Sequence, residues 1–297
     1  MSTGGTMTEK TDLVERQLMS VISEASGSGC PSGLSGALHW AVFPGGSRMR
    51  PRICRAVNLA CGGRDEWCAT PAAAIELLHC ASLVHDDLPC FDNSPTRRGR
   101  ASVQAKFGER LAVLAGDALI VLAFQSLATG VSAERASTLA PLSEILAKGV
   151  SSPSGIAAGQ AWECESTIDL GAYHRAKTGA LFAAATMAGA AVAGVDDYRS
   201  WADLGLQLGH AYQVGDDILD AAGFAEDLGK PAHQDEALAR PNSVAALGLS
   251  GAVAHLKQLI EQALASVPDC GGRELLCGQI SAETDRILPK HLAALAA

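Results

Sequence analysis

Along most of the chain, apolar residues recur at three- and four-residue spacing, the period of a helix with one buried face. Leu13, Leu18 and Ile22 form such a stripe in a predicted helix over residues 8–25. Glycine and serine crowd residues 26–36 and predict a break, and Pro44-Gly45-Gly46 predicts another. A helix following Pro51 carries Ile53, Ala56, Val57 and Ala60 on one face and ends at Gly62-Gly63. Pro71 suits the first position of the next helix. That helix runs through AAAIELLHCASLVHDD, with Ile75, Leu78, Ser82 and Leu83 near helical spacing, and Asp86 and Asp87 fall at its C-terminal end. Residues 100–200 read as further Ala/Leu-rich helices broken at Gly116, Gly130, Ser151-Ser152-Pro153 and Gly155. LGLQLGHAYQVGDDILD is another helix, and two short helices around Pro268 follow from Gly251. Strand-favouring residues are sparse, no repeat of fixed period recurs, and no Pro/Ser linker divides the chain. The expectation is one all-α domain over residues 11–297 behind a flexible tail of residues 1–10.

Composition sharpens this picture. Hydrophobic residues make up 48% of the 297 residues and aromatics only 4%, so alanine, the strongest helix former, dominates the apolar positions. The net charge of −9 argues against a general nucleic-acid binder, which needs basic surface to displace counterions. Nine cysteines without a CxxC pair give no zinc site and fit free thiols in a reducing cytoplasm. The N-terminus lacks the apolar run of a secretory signal. Residues 178–195 carry no charge, but their alanine and glycine are weakly apolar. A buried bundle helix, not a transmembrane segment, is expected there.

Charge is concentrated in two places. HDDLPCFDNSPTRRGR (residues 85–100) sets Asp86, Asp87 and Asp92 beside Arg97, Arg98 and Arg100. A helix C-terminus is already partly negative, so two carboxylates there call for a cation. Clustered hard oxygen ligands suit Mg²⁺, and arginines match phosphate oxygens. In GDDILD (residues 215–220), Asp216 and Asp220 are four apart and share a helix face, a like-charge pair that destabilises a bare helix. Either cluster alone could be a solvated charged turn; together they point to a shared metal site. A di-iron site would need paired Glu-x-x-His motifs, and only Glu76/His79 has that spacing. A magnesium–diphosphate site needs basic residues, and Arg48, Arg50, Arg97, Arg98, Lys177 and Lys230 supply them.

The ordered pieces PGGSRMRP, ELLHCASLVHDDLPCFDNSPTRRGR, LAGDAL, AAGQ, KTGALF, YQVGDDILD and LGK resemble the trans-prenyl-diphosphate synthases, the farnesyl and geranylgeranyl diphosphate synthase family, across residues 44–248. The resemblance implies an all-α bundle around a deep central cavity, usually a homodimer. It implies condensation of isopentenyl diphosphate with an allylic prenyl diphosphate. Asp86, Asp87 and Asp92 would form the first aspartate-rich motif and Asp216, Asp217 and Asp220 the second, holding three Mg²⁺ ions. Arg97, Lys177, Gln213 and Lys230 would contact the allylic diphosphate. Ser47, Arg50, His79 and Arg98 would bind isopentenyl diphosphate. Thr178 and Gln213 would flank the reacting carbons.

The chain departs from the family pattern where GGK becomes Gly45-Gly46-Ser47, and where two lysines beyond the second motif become Gln234 and Arg240. Ala81 and Ser82, five and four residues before Asp86, lie one turn up the helix and should face the growing tail. In the family an aromatic at the fifth position stops growth near farnesyl, so the resemblance with Ala81 there implies a geranylgeranyl product, with longer products still open. Cys90 reads as an inert small residue, His210 and His233 as structural, and Glu163 and Glu165 as a charged helix face. Two rivals stay open: a class I terpene cyclase, against which the second DDxxD-like motif argues, and a non-catalytic subunit modulating a partner synthase, which Ser47 and Gln234 would suit.

Overall fold

The computed structural model describes residues 12–43, 45–222 and 242–284. The expected tail of residues 1–10, and Lys230, His233, Gln234 and Arg240, lie outside the described residues.

The chain opens with α1 (Asp12–Ala25), α2 (Ser32–Val42), α3 (Met49–Ala60) and α4 (Asp65–Asp86). The glycine/serine break is shorter than the sequence predicts. Ala37, Leu38 and Val42 bury one face of α2, and Gly33 and Gly36 let it sit directly on Leu111 and Phe107. Burial there overrides the low helix propensity of glycine. Pro71 lies inside α4 rather than at its first position. The helix begins at Asp65, with Asp65 and Glu66 in a first turn that the dipole favours. Arg55 of α3 clasps Asp65 there.

After α4 the chain forms a hairpin, β1 (Thr96–Arg97) and β2 (Arg100–Ala101), antiparallel and in register Thr96 to Ala101. Its turn residues, Arg98 and Gly99, have φ of 54° and 72°, as a two-residue primed turn requires. These are the only strands among the described residues.

Then follow α5 (Val103–Phe107), α6 (Glu109–Gly130), α7 (Leu139–Val150), α8 (Ile156–Ala161), α9 (Leu170–His174) and α10 (Ala180–Ala193). A π-helical turn, Arg175–Gly179, leads into α10. Gly116 does not break α6. A Cβ there would lie 2.0 Å from His85 Nε2, so its lack of a side chain lets α4 and α6 pack. The expected breaks at Gly130 and residues 151–155 are present. Last come α11 (Ala202–Ala221), α12 (Ser243–Ala265) and α13 (Arg273–Thr284). The first of the two C-terminal helices is long, not short, and kinks at Gly248, where φ is 71°.

Helix α10 is the uncharged segment noted in the sequence and is buried along nearly its whole length. It packs against α3, α4, α7 and α11, while α4 pairs with α6 and α11 with α12. Small residues permit this closeness: a Cβ on Gly205 of α11 would meet Ala183 Cα at 2.3 Å. Among the described residues, α4, α6, α12 and Gly171–Ala193 are long and apolar enough to cross a membrane by length and composition. Most of α4 and Gly171–Ala193 is buried inside the bundle.

Candidate active site

The first aspartate motif sits where α4 ends. Asp86 is its last residue and Asp87 caps it, and the loop then curls back so that Asp92 N donates to Asp86 O at 2.9 Å. Asp87 is 2% exposed. Arg97 of the hairpin binds it through Nη2 at 2.5 Å and Nε at 3.1 Å. Burial nonetheless pushes the Asp87 carboxyl up to about 6 against that arginine, and Asp86 and Asp92 add to the rise. Gln160 at the end of α8 donates to Asp86 Oδ1 at 2.9 Å.

The second motif lies on α11. Asp217, 1% exposed, accepts from Gln213 Nε2 at 3.0 Å and from Ser243 N, at the start of α12, at 2.8 Å. Asp220 is buried and its Oδ1 has no hydrogen-bond partner. The Asp216 carboxylate, helped by burial, pushes the Tyr212 phenol up to about 12.

The π-helical turn connects the two motifs. Lys177 Nζ stands 3.8 Å from Asp86 Oδ1, and Thr178 Oγ1 donates to Gln213 Oε1 at 2.8 Å. A Cβ on Gly209 would lie 2.6 Å from Gly179 Cα. Glycine at both positions is therefore what brings α11 close enough for the Thr178–Gln213 bond. Lys177 also meets a residue that the sequence presents as part of a charged helix face. Glu163 Oε1 lies 2.5 Å from Lys177 Nζ and accepts from Tyr173 Oη at 2.6 Å. Its neighbour Glu165 is exposed, as expected. Only the i, i+3 spacing of Gln160 and Glu163 hinted that both face one way.

A basic cluster lies on the other side of α4. Arg48 adopts the left-handed region, φ 52°, and is committed internally. Its Nη1 pairs with Glu76 at 2.6 Å, its Nε with Glu15 at 2.7 Å, and its Nη2 donates to Val42 O. Arg100 is likewise spent on the carbonyls of Trp40 and Phe43. Arg50 is different. It is buried, its Nε has no hydrogen-bond partner, and its guanidinium lies 4.5 Å from the centre of the Phe182 ring. Its Nη1 is 3.4 Å from His79 Nε2. Burial, then the charges of Arg50, Arg98, Arg48 and Arg97, hold His79 well below the usual imidazole range, so the ring is neutral. Arg98 Nη2 approaches Glu76 at 3.9 Å, and Ser47 is exposed beside the Tyr212 phenol. Ser47, Arg50, His79 and Arg98, the residues that the family resemblance groups, thus lie around one region.

Ala81 is 1% exposed, and Ser82 is half-buried with its hydroxyl on His79 O. A narrow cleft of about 20 Å³ beside this turn is lined by Cys80, Leu83, Val84, Asp87 and Arg97 among others. A larger cleft of about 590 Å³ separates α3 from α13. Cys90 is exposed rather than tucked away. His210 has ring neighbours that its sequence spacing hid: His174 at 6.0 Å and His255 at 5.5 Å.

No three carboxylate, imidazole or thiol groups among the described residues are already gathered to hold a metal ion. The donor set nevertheless fits a hard divalent cation: all oxygen, largely buried, with Asp220 Oδ1 unsatisfied. Magnesium commonly uses one or two carboxylates and completes its shell with water and substrate phosphate.

A model of the polyprenyl synthetase family matches residues 32–271. The chain is 47% identical to a geranylgeranyl diphosphate synthase of Cereibacter sphaeroides over 95% of its own length and 97% of that protein's. It is 37% identical to the farnesyl diphosphate synthase of Geobacillus stearothermophilus, covering 86% and 88%. Its fold superposes with a TM-score of 0.81, at 28% identity, on a Helicobacter pylori geranyltransferase solved with magnesium and isoprenyl diphosphate, over 96% of this chain and 99% of that one. The chain therefore belongs to the polyprenyl synthetase family.

Proposed function

We propose that the protein condenses isopentenyl diphosphate with an allylic prenyl diphosphate and releases geranylgeranyl diphosphate. One observation carries this reading. The Lys177-Thr178 dipeptide touches both aspartate motifs, Asp86 through the lysine and Asp217 through Thr178 and Gln213. Two acidic ends of separate helices so joined support a diphosphate-and-metal site over two surface turns.

The residues divide by chemistry. Asp86, Asp87, Asp92, Asp216, Asp217 and Asp220 would hold Mg²⁺, three ions per site by family pattern. When bound, these ions neutralise charge on the departing diphosphate. Arg97, Lys177, Gln213 and, by motif position, Lys230 contact the allylic diphosphate. Arg50, His79 and Arg98 receive isopentenyl diphosphate, with Ser47 offering a hydroxyl where the family carries a lysine. The unpartnered Arg50 Nε supports this assignment, because a buried cation without an acceptor favours an arriving anion. Thr178 and Gln213 bracket the reacting carbons. The allylic C–O bond ionises, the isopentenyl double bond attacks the cation, and the proton lost leaves with the released diphosphate. Apolar walls keep water from the cation.

Ala81 supports the geranylgeranyl product, because the family stops growth near farnesyl with an aromatic side chain at this position and alanine presents none. A homodimer is part of this reading, and the exposed apolar side chains Val113, Leu114 and Val121 on the long helix α6 support it. A cytoplasmic protein with no transmembrane segment and no nucleic-acid partner fits the buried α10 and the acidic charge.

The test is incubation of purified protein with Mg²⁺, isopentenyl diphosphate and each allylic primer, with products read by mass spectrometry. A geranylgeranyl product, lost with EDTA and in Asp86→Ala, is expected. Farnesyl as the end product would overturn the chain-length assignment alone, and no condensation with any primer would overturn the enzyme.

A further inference from the structure

Lys177 stands between two carboxylates, with a short contact to Glu163 and a long one to Asp86. The ammonium lies 3.8 Å from Asp86 Oδ1 but 2.5 Å from Glu163 Oε1. The same Glu163 oxygen accepts the Tyr173 hydroxyl. Both charged side chains are largely buried, Lys177 19% and Glu163 12% exposed, where such a pair is screened little by solvent. The backbone is arranged for this contact. A Cβ on Gly159 would fall 2.3 Å from Lys177 N, so α8 rests directly on the π-helical turn. One turn of chain then serves both partners: Gln160 holds Asp86 and Glu163 holds Lys177.

We propose that Glu163 is a positioning residue that keeps Lys177 off Asp86 until an allylic diphosphate arrives. This rests on the reading that Asp86 and Lys177 share the allylic diphosphate site. Without the Glu163 carboxylate, the ammonium would close the gap to Asp86 and compete with the divalent cation for that oxygen. With it, Asp86 stays available and Lys177 stays charged within reach of the incoming phosphates. Tyr173 completes the device. Its hydroxyl pins the Glu163 oxygen, so the carboxylate stays behind and stays satisfied when Lys177 turns to the diphosphate.

The experiment measures Mg²⁺ dependence and both substrate KM values in wild type, Glu163→Gln and Glu163→Asp. Calorimetric titration of Mg²⁺ with inorganic diphosphate into each metal-free protein gives a readout independent of turnover. Glu163→Gln is expected to raise the half-saturating Mg²⁺ and the allylic KM on the order of tenfold, the size of one lost charge-assisted contact. The isopentenyl KM and saturated kcat should stay within about twofold by the same reasoning. Diphosphate affinity should fall in parallel, and Glu163→Asp should restore part of it. In a Lys177→Ala background, Glu163→Gln should shift nothing further. An unchanged Mg²⁺ dependence, an equal loss for both substrates, or the same shift persisting without Lys177 would each overturn the proposal. If Glu163→Gln does not fold, Tyr173→Phe must move the Mg²⁺ dependence in the same direction by about two- to threefold, a neutral hydrogen bond's worth, and no movement refutes it. Wild-type protein that makes no prenyl product would sink the synthase reading instead, while the diphosphate titration would still decide the role of Glu163.

Discussion

Replacing Arg50 with methionine should separate binding from folding. In the unliganded protein this guanidinium is buried, its Nε has no hydrogen-bond partner, and it lies against the neutral His79 and the Phe182 and Tyr212 rings. Burial lowers its pKa from the usual guanidinium value, the sign of a charge held without adequate compensation. Methionine keeps much of the volume and removes the buried charge, which is often neutral or stabilising. The loss is the contact with Phe182, about 1–2 kcal/mol for a desolvated cation–π pair. The melting temperature of Arg50→Met should therefore stay within a few degrees of wild type. Substrate binding should behave oppositely. Two charge-assisted hydrogen bonds to diphosphate at about 1.5–3 kcal/mol each, less that ring contact, leave about 3 kcal/mol at the middle of the range. This is on the order of 10²- to 10³-fold in kcat/KM for isopentenyl diphosphate. The allylic KM should change little. Steady-state kinetics with each substrate varied, beside thermal melts, decide the matter. A variant that melts far lower yet keeps its isopentenyl KM would show that Arg50 is a structural cation and refute the reasoning.

Ala81→Phe should shorten the main product to farnesyl, read by mass spectrometry, and lower stability by about 1–3 kcal/mol, because this position is already 1% exposed. Thr178→Val should strand Gln213 Oε1, costing about 1–3 kcal/mol, and slow turnover more than it weakens binding, as kcat and KM will show. Stability should fall with pH near 6. Burial, then His174 and His255, hold His210 below its ordinary value, and burial does the same to His174. Such groups stabilise the fold above their unfolded pKa of about 6.5, and that contribution is lost as pH falls from there through the folded pKa. Melts of metal-free His210→Gln across pH 7 to 5 should be flatter than wild type; an identical slope would refute the assignment.

Much of the site was legible because it is local. The apolar run of α4 ends where Asp86 begins, so periodicity alone put two carboxylates at a helix C-terminus. Residues 216 and 220 share a face because they are four apart on one helix. The fold class followed from the scarcity of strand formers and the abundance of alanine. Glycine misled as a break signal. Gly116 and the 26–36 cluster read as breaks, but Gly116 makes room for His85, and Gly33 and Gly36 make room for Leu111 and Phe107. A sequence shows that a Cβ is missing and not what fills its space.

The sequence by itself determined the helices, the two acidic ends and the supply of arginines and lysines. Only the tertiary structure decided how those charges are spent. Arg48 is consumed by Glu15 and Glu76, 33 and 28 residues away, whereas Arg50, two positions on, keeps an unpaired nitrogen. Glu163 became the partner of Lys177 because Gly159 lets α8 lie against the turn. Periodicity encodes which face of a helix is buried, a property of neighbours in sequence. Charge pairing depends on distance between helices, which is set where small residues let backbones meet.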